Sequence, residues 1–344
     1  MVDFAGYLMP ITYPNGIVSE YKEVRNSAGI FDVSHMGQIF IHGAKSKRFI
    51  QEIITNDIES ISEGQALYTV MCNKDGGVID DLILYELSKT RYLMIVNASN
   101  IEKDYDWLCE NNDMGVSIIN QSSIYSLIAL QGPKTYSLAR KVFPEIPKKL
   151  GFFNHVSFKS KYGNTLVSRT GYTGEHGYEI MIENDNALNL WNDLLELNIA
   201  PCGLASRDIL RLEMCYCLYG NDLNDKTTPI SANLGWVTKL EKENFLGKDA
   251  LIKDTSTDML VPFKLLDRGI PRKGYKIVCS EREVGYVSSG AHSPILSTGI
   301  GMGYINKNYI KSNEKIYIDI RGSLIQIELL KGPFIKKTSL LINE

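Results

Sequence analysis

The stretch Leu166-Val167-Ser168-Arg169-Thr170-Gly171-Tyr172-Thr173-Gly174-Glu175-His176-Gly177-Tyr178-Glu179-Ile180 limits the folds open to this chain more than any other segment. Two β-like runs are joined by glycines spaced three apart. Glycine permits positive φ or close backbone approach, so the link is either a tight connection or the wall of a pocket. Glu179, flanked by Tyr178 and Ile180, must point to one face of its strand. If that face is enclosed, the carboxylate needs a donor-rich partner, such as a heterocycle edge that offers a ring N–H beside an exocyclic amine. The other reading is a plain hairpin with Glu179 in solvent.

A second segment has the same character. Asn73-Lys74-Asp75-Gly76-Gly77 is a turn signal, and Val78-Ile79-Asp80-Asp81-Leu82-Ile83-Leu84-Tyr85 is a strand run with two aspartates inside it. Side chains alternate along a strand, so Asp80 and Asp81 face opposite ways and one of them faces the interior. An interior carboxylate has to be partnered, which makes it structural or chemical.

The remaining pattern alternates helix and strand. Helices are expected at Val18–Arg25, on the apolar face formed by Phe49, Ile50, Ile53 and Ile54, from about Asn100 to Glu110 behind a Ser99/Glu102 capping box, after Gly132-Pro133 through Arg140, and near Trp191 and Arg207. Strands are expected at Gln38–His42, Tyr68–Cys72, Val78–Leu87, Tyr92–Val96 and Ile124–Leu130, and around Val156, Thr165 and Tyr178. Beyond Thr255 the pattern becomes short β runs at Met259–Leu266, Tyr275–Cys279, Val284–Ser288, Ile316–Ile320 and Leu324–Leu330. Such a run of strands fits a small barrel of about 85 residues. The reading is an α+β chain, with two mixed α/β subdomains interleaved over residues 1–255 and a β-barrel over residues 256–344.

Composition narrows the function classes. Thirty-seven Lys and Arg stand against 40 Asp and Glu, for a net charge of -3, so no basic excess argues for nucleic acid. No run of about 18 apolar residues offers a membrane span. Six cysteines are scattered, Cys215 and Cys217 are too close for a CxxC pair, and the five histidines do not cluster with them, so no metal is expected. The start, Met1-Val2-Asp3-Phe4-Ala5-Gly6-Tyr7, has no secretory pattern. A cytoplasmic location is expected, or the mitochondrial matrix if a targeting peptide has been removed.

Six ordered blocks carry a family resemblance. They are Phe31-Asp32-Val33-Ser34-His35-Met36-Gly37, Leu67-Tyr68-Thr69-Val70-Met71-Cys72-Asn73, Gly76-Gly77-Val78-Ile79-Asp80-Asp81-Leu82, Val96-Asn97-Ala98-Ser99-Asn100, Arg169 to Glu179, and Leu234-Gly235-Trp236. Together with the Gly274–Pro294 region and Gly332-Pro333-Phe334, they resemble the glycine cleavage system T-protein, the tetrahydrofolate-dependent aminomethyltransferase. The resemblance implies two α+β domains and a barrel around a central folate cavity. It also implies transfer of a one-carbon unit from the aminomethyl-lipoyl arm of H-protein to tetrahydrofolate, with release of ammonia. The family usually has a short segment ahead of Asp3-Phe4-Ala5-Gly6, so a late start is expected here.

The same resemblance assigns roles. Asp81 is the catalytic carboxylate, and Asp80 on the other face is structural. Glu179 accepts from the pterin, and Asn97 offers it a donor and an acceptor, unless Asn97 only shapes the turn before the helix. Tyr68, Tyr172 and Trp236 line the cavity and Met36 its floor. Arg207 belongs to the folate site, the alternative being an ion pair with Asp208 or Glu213. Arg272 matches a cavity-mouth arginine suited to the glutamyl carboxylates. His35 is expected to be a structural, hydrogen-bonded imidazole. The family's Gly-Leu-Gly-Ala-Arg-Asp reads Gly203-Leu204-Ala205-Ser206-Arg207-Asp208 here, and Ser231 stands where an acidic residue is common. Two alternatives share the scaffold: another folate-dependent transferase or demethylase, and a non-enzymatic folate-binding accessory protein. The latter carries a Lys-Gly-Cys-Tyr-type motif, against Arg169-Thr170-Gly171-Tyr172 in this chain.

Overall fold

The two runs flanking the glycines form the strands Gly163–Ser168 and Gly177–Glu183, paired antiparallel with Ser168 opposite Glu179. The glycines serve close approach as well as turning. A Cβ on Gly171 or Gly177 would lie 2.1 or 2.2 Å from the side-chain amide of Gln131, whereas only Gly174 of the three has positive φ. That buried amide donates to the Thr170 carbonyl at 3.2 Å and accepts the Thr173 hydroxyl at 2.9 Å, which ties the loop to the sheet.

A computed structural model describes residues 1–312 and 314–342. The chain divides into two units. One comprises residues 1–71, 80–207 and 337–344, and the other residues 72–79 and 208–336.

The first unit contains a sheet with the strand order His155–Ser160, Gly163–Ser168, Gly177–Glu183, Tyr125–Gln131, Gly29–Asp32, Ala200–Pro201, in which only the last pair is parallel. On the Gly177–Glu183 strand, Tyr178, Ile180 and Ile182 enter a core with Ala139 of the helix Thr135–Val142, Phe143 just beyond that helix, and Leu190 and Leu194 of the helix Ala187–Glu196. Alternation therefore turns Glu179 to the opposite face.

The second sheet runs Ala66–Cys72, Val78–Ser88, Arg91–Val96, Gly37–His42, Ser117–Asn120. The helix Ser46–Ile53 buries Phe49, Ile50 and Ile53, and Ile54 is buried just beyond it, as the spacing predicts. The helix Ile101–Glu110 begins one residue later than expected and without the capping box. Its N-cap is Asn100, with no side-chain cap, because that amide is turned to Asp80 instead.

In the second unit a closed barrel runs Asp258–Leu265, Thr298–Asn306, Arg282–Ser293, Lys276–Cys279, Ile316–Ile320, Ser323–Leu329, filled by Phe263, Leu265, Ile277, Val287, Ile305, Ile318 and their neighbours. The strand Thr298–Asn306 is absent from the sequence expectation. Gly299, Gly301 and Gly303 read as breakers, yet a Cβ at each would come within 2.7 Å of a neighbouring atom, so glycine is what lets this strand fit. Below the barrel wall, fully buried Arg211 donates to Asp222 at 2.8 Å, and Asp222 also accepts from Ser288 and Ser289. No helix is long and apolar enough to cross a membrane among the described residues.

Candidate functional site

Asp80 and Asp81 leave their strand on opposite faces and meet different surroundings. Asp80 is fully buried. Its Oδ2 accepts the Asn97 backbone N–H at 2.9 Å, and its Oδ1 accepts the side-chain amides of Asn97 at 2.9 Å and Asn100 at 2.6 Å. Asp81 is half-buried. Its Oδ2 accepts the Tyr68 hydroxyl at 2.9 Å, and its Oδ1 accepts the Asn97 amide at 3.1 Å. The Asn97 amide thus bridges both carboxylates.

Burial first, and the neighbouring Asp80 charge second, push the Asp81 carboxyl up to about 7, while the bonds from Tyr68 and Asn97 pull it back. A group so placed exchanges its proton near neutrality, as acid-base or charge-stabilising work requires.

A second cluster faces the glycine-linked hairpin. Thr170 donates its hydroxyl to Glu179 Oε2 at 2.5 Å, and Ser168, Thr170 and buried Tyr85 share a hydroxyl network at 2.8 to 3.2 Å. Burial, then the Glu179 charge, raises Tyr85, so its hydroxyl stays protonated. Tyr85 joins the two clusters, because it lies on the same face of the Val78–Ser88 strand as Asp81, about 13 Å along it.

The Arg207 guanidinium stacks 4.9 Å from the Tyr172 ring centroid and 6.0 Å from that of Phe31. Its Nη1 is buried with no hydrogen-bond partner among the described residues. Burial lowers its pKa and the Glu179 charge opposes that shift, so the two groups sense each other. The acids named as alternative partners of Arg207 have other contacts: Asp208 pairs with Arg211, and Glu213 accepts from Ser293.

Of the predicted residues, Tyr68, Asp81 and Asn97 form one hydrogen-bonded group, Arg207 stacks on Tyr172, and Glu179 accepts from Thr170. Met36 is half-buried in the turn after Val33, where its carbonyl accepts from Gln38. Trp236 and Arg272 belong to the second unit. Trp236 is exposed on a short helical turn, and exposed Arg272 reaches the Gly290 carbonyl at 3.4 Å.

His35 differs from expectation. It is buried, but its Nδ1 has no hydrogen-bond partner among the described residues, and its ring packs edge-on to Phe4 at 5.5 Å. Burial, reinforced by Arg207, lowers it to about 4, so it is neutral. Asn100, Thr170, Tyr85 and Gln131 were not singled out from sequence. Their roles arise from contacts between distant segments that no local motif encodes.

A shallow groove of about 560 Å³ on the first unit, bordered by Tyr7, Ser99 and Glu102 among others, contains none of the predicted site residues. Among the described residues, no three His, Cys, Asp or Glu side chains are grouped to hold a metal ion.

Two family models match the sequence: the GCVT N-terminal domain over residues 1–242 and the glycine cleavage T-protein C-terminal barrel domain over residues 259–336. The aminomethyltransferase of Halothermothrix orenii is 45% identical over 342 residues, covering 97% of this chain and 96% of the relative. That of Chloroherpeton thalassium is 44% identical over 346 residues, covering 98% and 95%. The crystal structure of glycine cleavage system aminomethyltransferase T from Bartonella henselae superposes with a TM-score of 0.90 at 31% identity, covering 98% of this chain and 94% of that one.

Proposed function

Because the chain belongs to the glycine cleavage T-protein family, we propose that its aminomethyl transfer is carried out at Asp81 and that its folate is held by the Glu179 cluster. The chain is an aminomethyltransferase of the glycine cleavage system, which favours this chemistry over demethylation or an accessory role. The donor in the proposal is the aminomethyl-lipoyl arm of H-protein, in a transient encounter, and the acceptor is tetrahydrofolate. Bound tetrahydrofolate supplies the nucleophilic nitrogen that takes the one-carbon unit, as the carbon–sulfur bond breaks and ammonia leaves.

The residues present fit a reduced pterin. Glu179 is a carboxylate for ring N–H and amine donors, and the unpartnered Arg207 Nη1 is a buried donor awaiting an acceptor. Thr170 fixes the Glu179 carboxylate from the side, and Tyr172 supplies an aromatic face backed by Arg207. Asn97 keeps its amide on the two aspartates. Met36, Trp236 and Arg272 remain assigned to folate by the resemblance alone.

Ionised Asp81 is the working form. In a partly dry site its charge opposes the positive charge that develops at the migrating carbon, and Tyr68 and Asn97 hold both oxygens in place for it. The observation that carries the reading is this half-buried carboxylate, poised near neutrality and fixed at both oxygens.

Asp81→Asn keeps the shape and removes the charge. Single-turnover transfer from loaded H-protein should fall by about a hundredfold or more while folate affinity changes little. Asp80→Asn should lower stability more than rate. Near wild-type transfer by Asp81→Asn would refute the assignment.

A further inference from the structure

The glycine-linked loop that carries Tyr172 has little order of its own. Residues 169–177 include Gly171, Gly174 and Gly177, and each brings backbone freedom that contacts from outside the loop have to remove. One set of ties runs to the sheet through the Gln131 amide. A second set converges on Glu175, whose carboxylate is almost fully buried.

Two segments distant in the chain meet at that carboxylate. From the helix Ile17–Asn26, Arg25 donates through Nη1 to Glu175 Oε1 at 2.8 Å and to the Thr173 carbonyl at 2.7 Å. Ser339 opens the short helix Ser339–Ile342, in the stretch 337–344 that belongs to the first unit. It donates to Glu175 Oε2 twice, through its backbone N–H at 2.8 Å and its hydroxyl at 2.6 Å. The same hydroxyl accepts the His176 backbone N–H at 2.8 Å. Ser339 thus closes a ring with Glu175 and His176, its one hydroxyl proton going to the carboxylate and a lone pair to the amide. Thr338 and Leu340, on either side of it, are buried, so the segment is firmly seated.

We infer that Ser339 is a positioning residue for tetrahydrofolate: with Arg25 it clamps Glu175, and through Glu175 it fixes the loop that presents Tyr172 and leads into the strand of Glu179. The inference rests on the reading that the Glu179 cluster holds folate. Ser339 acts through Glu175 and His176, not on folate itself.

The arrangement suits positioning. Between Tyr172, stacked with Arg207, and Glu179, fixed by Thr170, the chain turns at Gly174 with φ +76°. Gly174 has no side chain to hold that turn, so the Glu175 carboxylate beside it is the handle by which outside groups set where Tyr172 lies. With the handle released, the loop samples more conformations and folate has to select the competent one. Apparent affinity then falls in proportion to the population of that conformation. Asp81 lies on the other sheet, so the chemical step is spared once folate is bound.

Ser339 is the member to perturb, because removing Arg25 or Glu175 would leave a buried charge unpaired and could unfold the chain. Ser339→Ala removes both hydroxyl contacts, and Ser339→Thr keeps them. In hydrogen exchange of the ligand-free enzyme, the His176 amide should exchange at least about tenfold faster in Ser339→Ala, since its acceptor is gone. Tetrahydrofolate Kd by calorimetry, and the folate KM, should rise about ten- to thirtyfold, while kcat at saturating folate with loaded H-protein stays within about twofold. Ser339→Thr should restore the exchange rate and the affinity. A merely structural Ser339 would lower the melting temperature without separating KM from kcat. Linkage also works in reverse: saturating tetrahydrofolate should slow exchange of the Ser339 amide in wild type. The inference is overturned if His176 exchange is unchanged in Ser339→Ala, or if it quickens while folate affinity stays at the wild-type value although Glu179→Ala loses it. If Glu179→Ala also keeps wild-type affinity, it is the folate reading that fails, and this inference falls with it.

Discussion

Removing the Tyr68 hydroxyl isolates one contact to the reactive carboxylate. Tyr68 donates to Asp81 Oδ2 at 2.9 Å, and this bond stabilises only the ionised form, so it lowers the Asp81 pKa. Tyr68→Phe deletes the donor and leaves the ring. A hydrogen bond to a charged group is worth about 1.5–3 kcal/mol, which corresponds to about one to two pH units. From a starting value of about 7, the Asp81 carboxyl should therefore rise to about 8 to 9. At neutral pH the ionised fraction falls from about one half to between about a tenth and a hundredth, and turnover falls about five- to fiftyfold with it. Raising the pH should restore the rate, because nothing else on the carboxylate has changed. The assay is single-turnover aminomethyl transfer across pH at saturating tetrahydrofolate, with folate binding followed in parallel. An acid limb that stays where wild type has it, or a rate lowered equally at every pH, would mean that Tyr68 does not act through the charge on Asp81.

Two further perturbations probe the rest of the site. Thr170→Val removes the hydroxyl that donates to Glu179 and should weaken tetrahydrofolate binding by about tenfold in calorimetric titration, with kcat at saturation little changed; the converse pattern would place Glu179 in the chemistry instead of in binding. Asp81→Asn should melt higher than wild type at about pH 8. A carboxyl whose folded pKa is raised contributes stability in full below its unfolded value and loses it as pH rises through about 7, so the gap in melting temperature should close as the pH is lowered toward about 4. A gap that is constant with pH would point to packing instead of ionisation.

Period-two alternation made part of this site legible in the sequence. It placed Asp80 and Asp81 on opposite faces and sent Glu179 away from the Tyr178, Ile180 and Ile182 face, and the apolar spacing of Phe49, Ile50, Ile53 and Ile54 gave a helix face in the same way. Local signals failed where a residue's partner lies far along the chain. Ser99 and Glu102 have the form of a capping box, but the helix start is set by Asn100, whose amide is drawn to Asp80 twenty residues earlier. The strand Thr298–Asn306 was hidden because its glycines, alternating with Ile300, Met302 and Tyr304, resemble breaks; only the neighbouring atoms, within 2.7 Å of each absent Cβ, explain them. Gln131 carries no motif at all. An amide that two glycines close over becomes visible only once the sheet brings it to its partners.

Two adjacent acids on one strand would ordinarily repel each other and destabilise the sheet, and the surroundings resolve the conflict differently on each face. On the buried face burial pushes the Asp80 carboxyl up, and three N–H donors oppose that rise. On the other face Asp81 receives one donor at each oxygen, and burial first, then the neighbouring Asp80, hold its ionisation near balance at neutral pH. The Asn97 amide couples the two faces, because the geometry that satisfies Asp80 is the same one that aims a donor at Asp81. A neutral residue at position 80 would leave Asp81 with a lower pKa, while the Asn97 amide would still be held by Asp81. A second free charge there would leave Asp81 protonated and unable to oppose positive charge. The adjacent pair is therefore a single electrostatic device, in which the buried acid, satisfied by its N–H donors, adds to the effect of burial on the proton affinity of its half-buried neighbour.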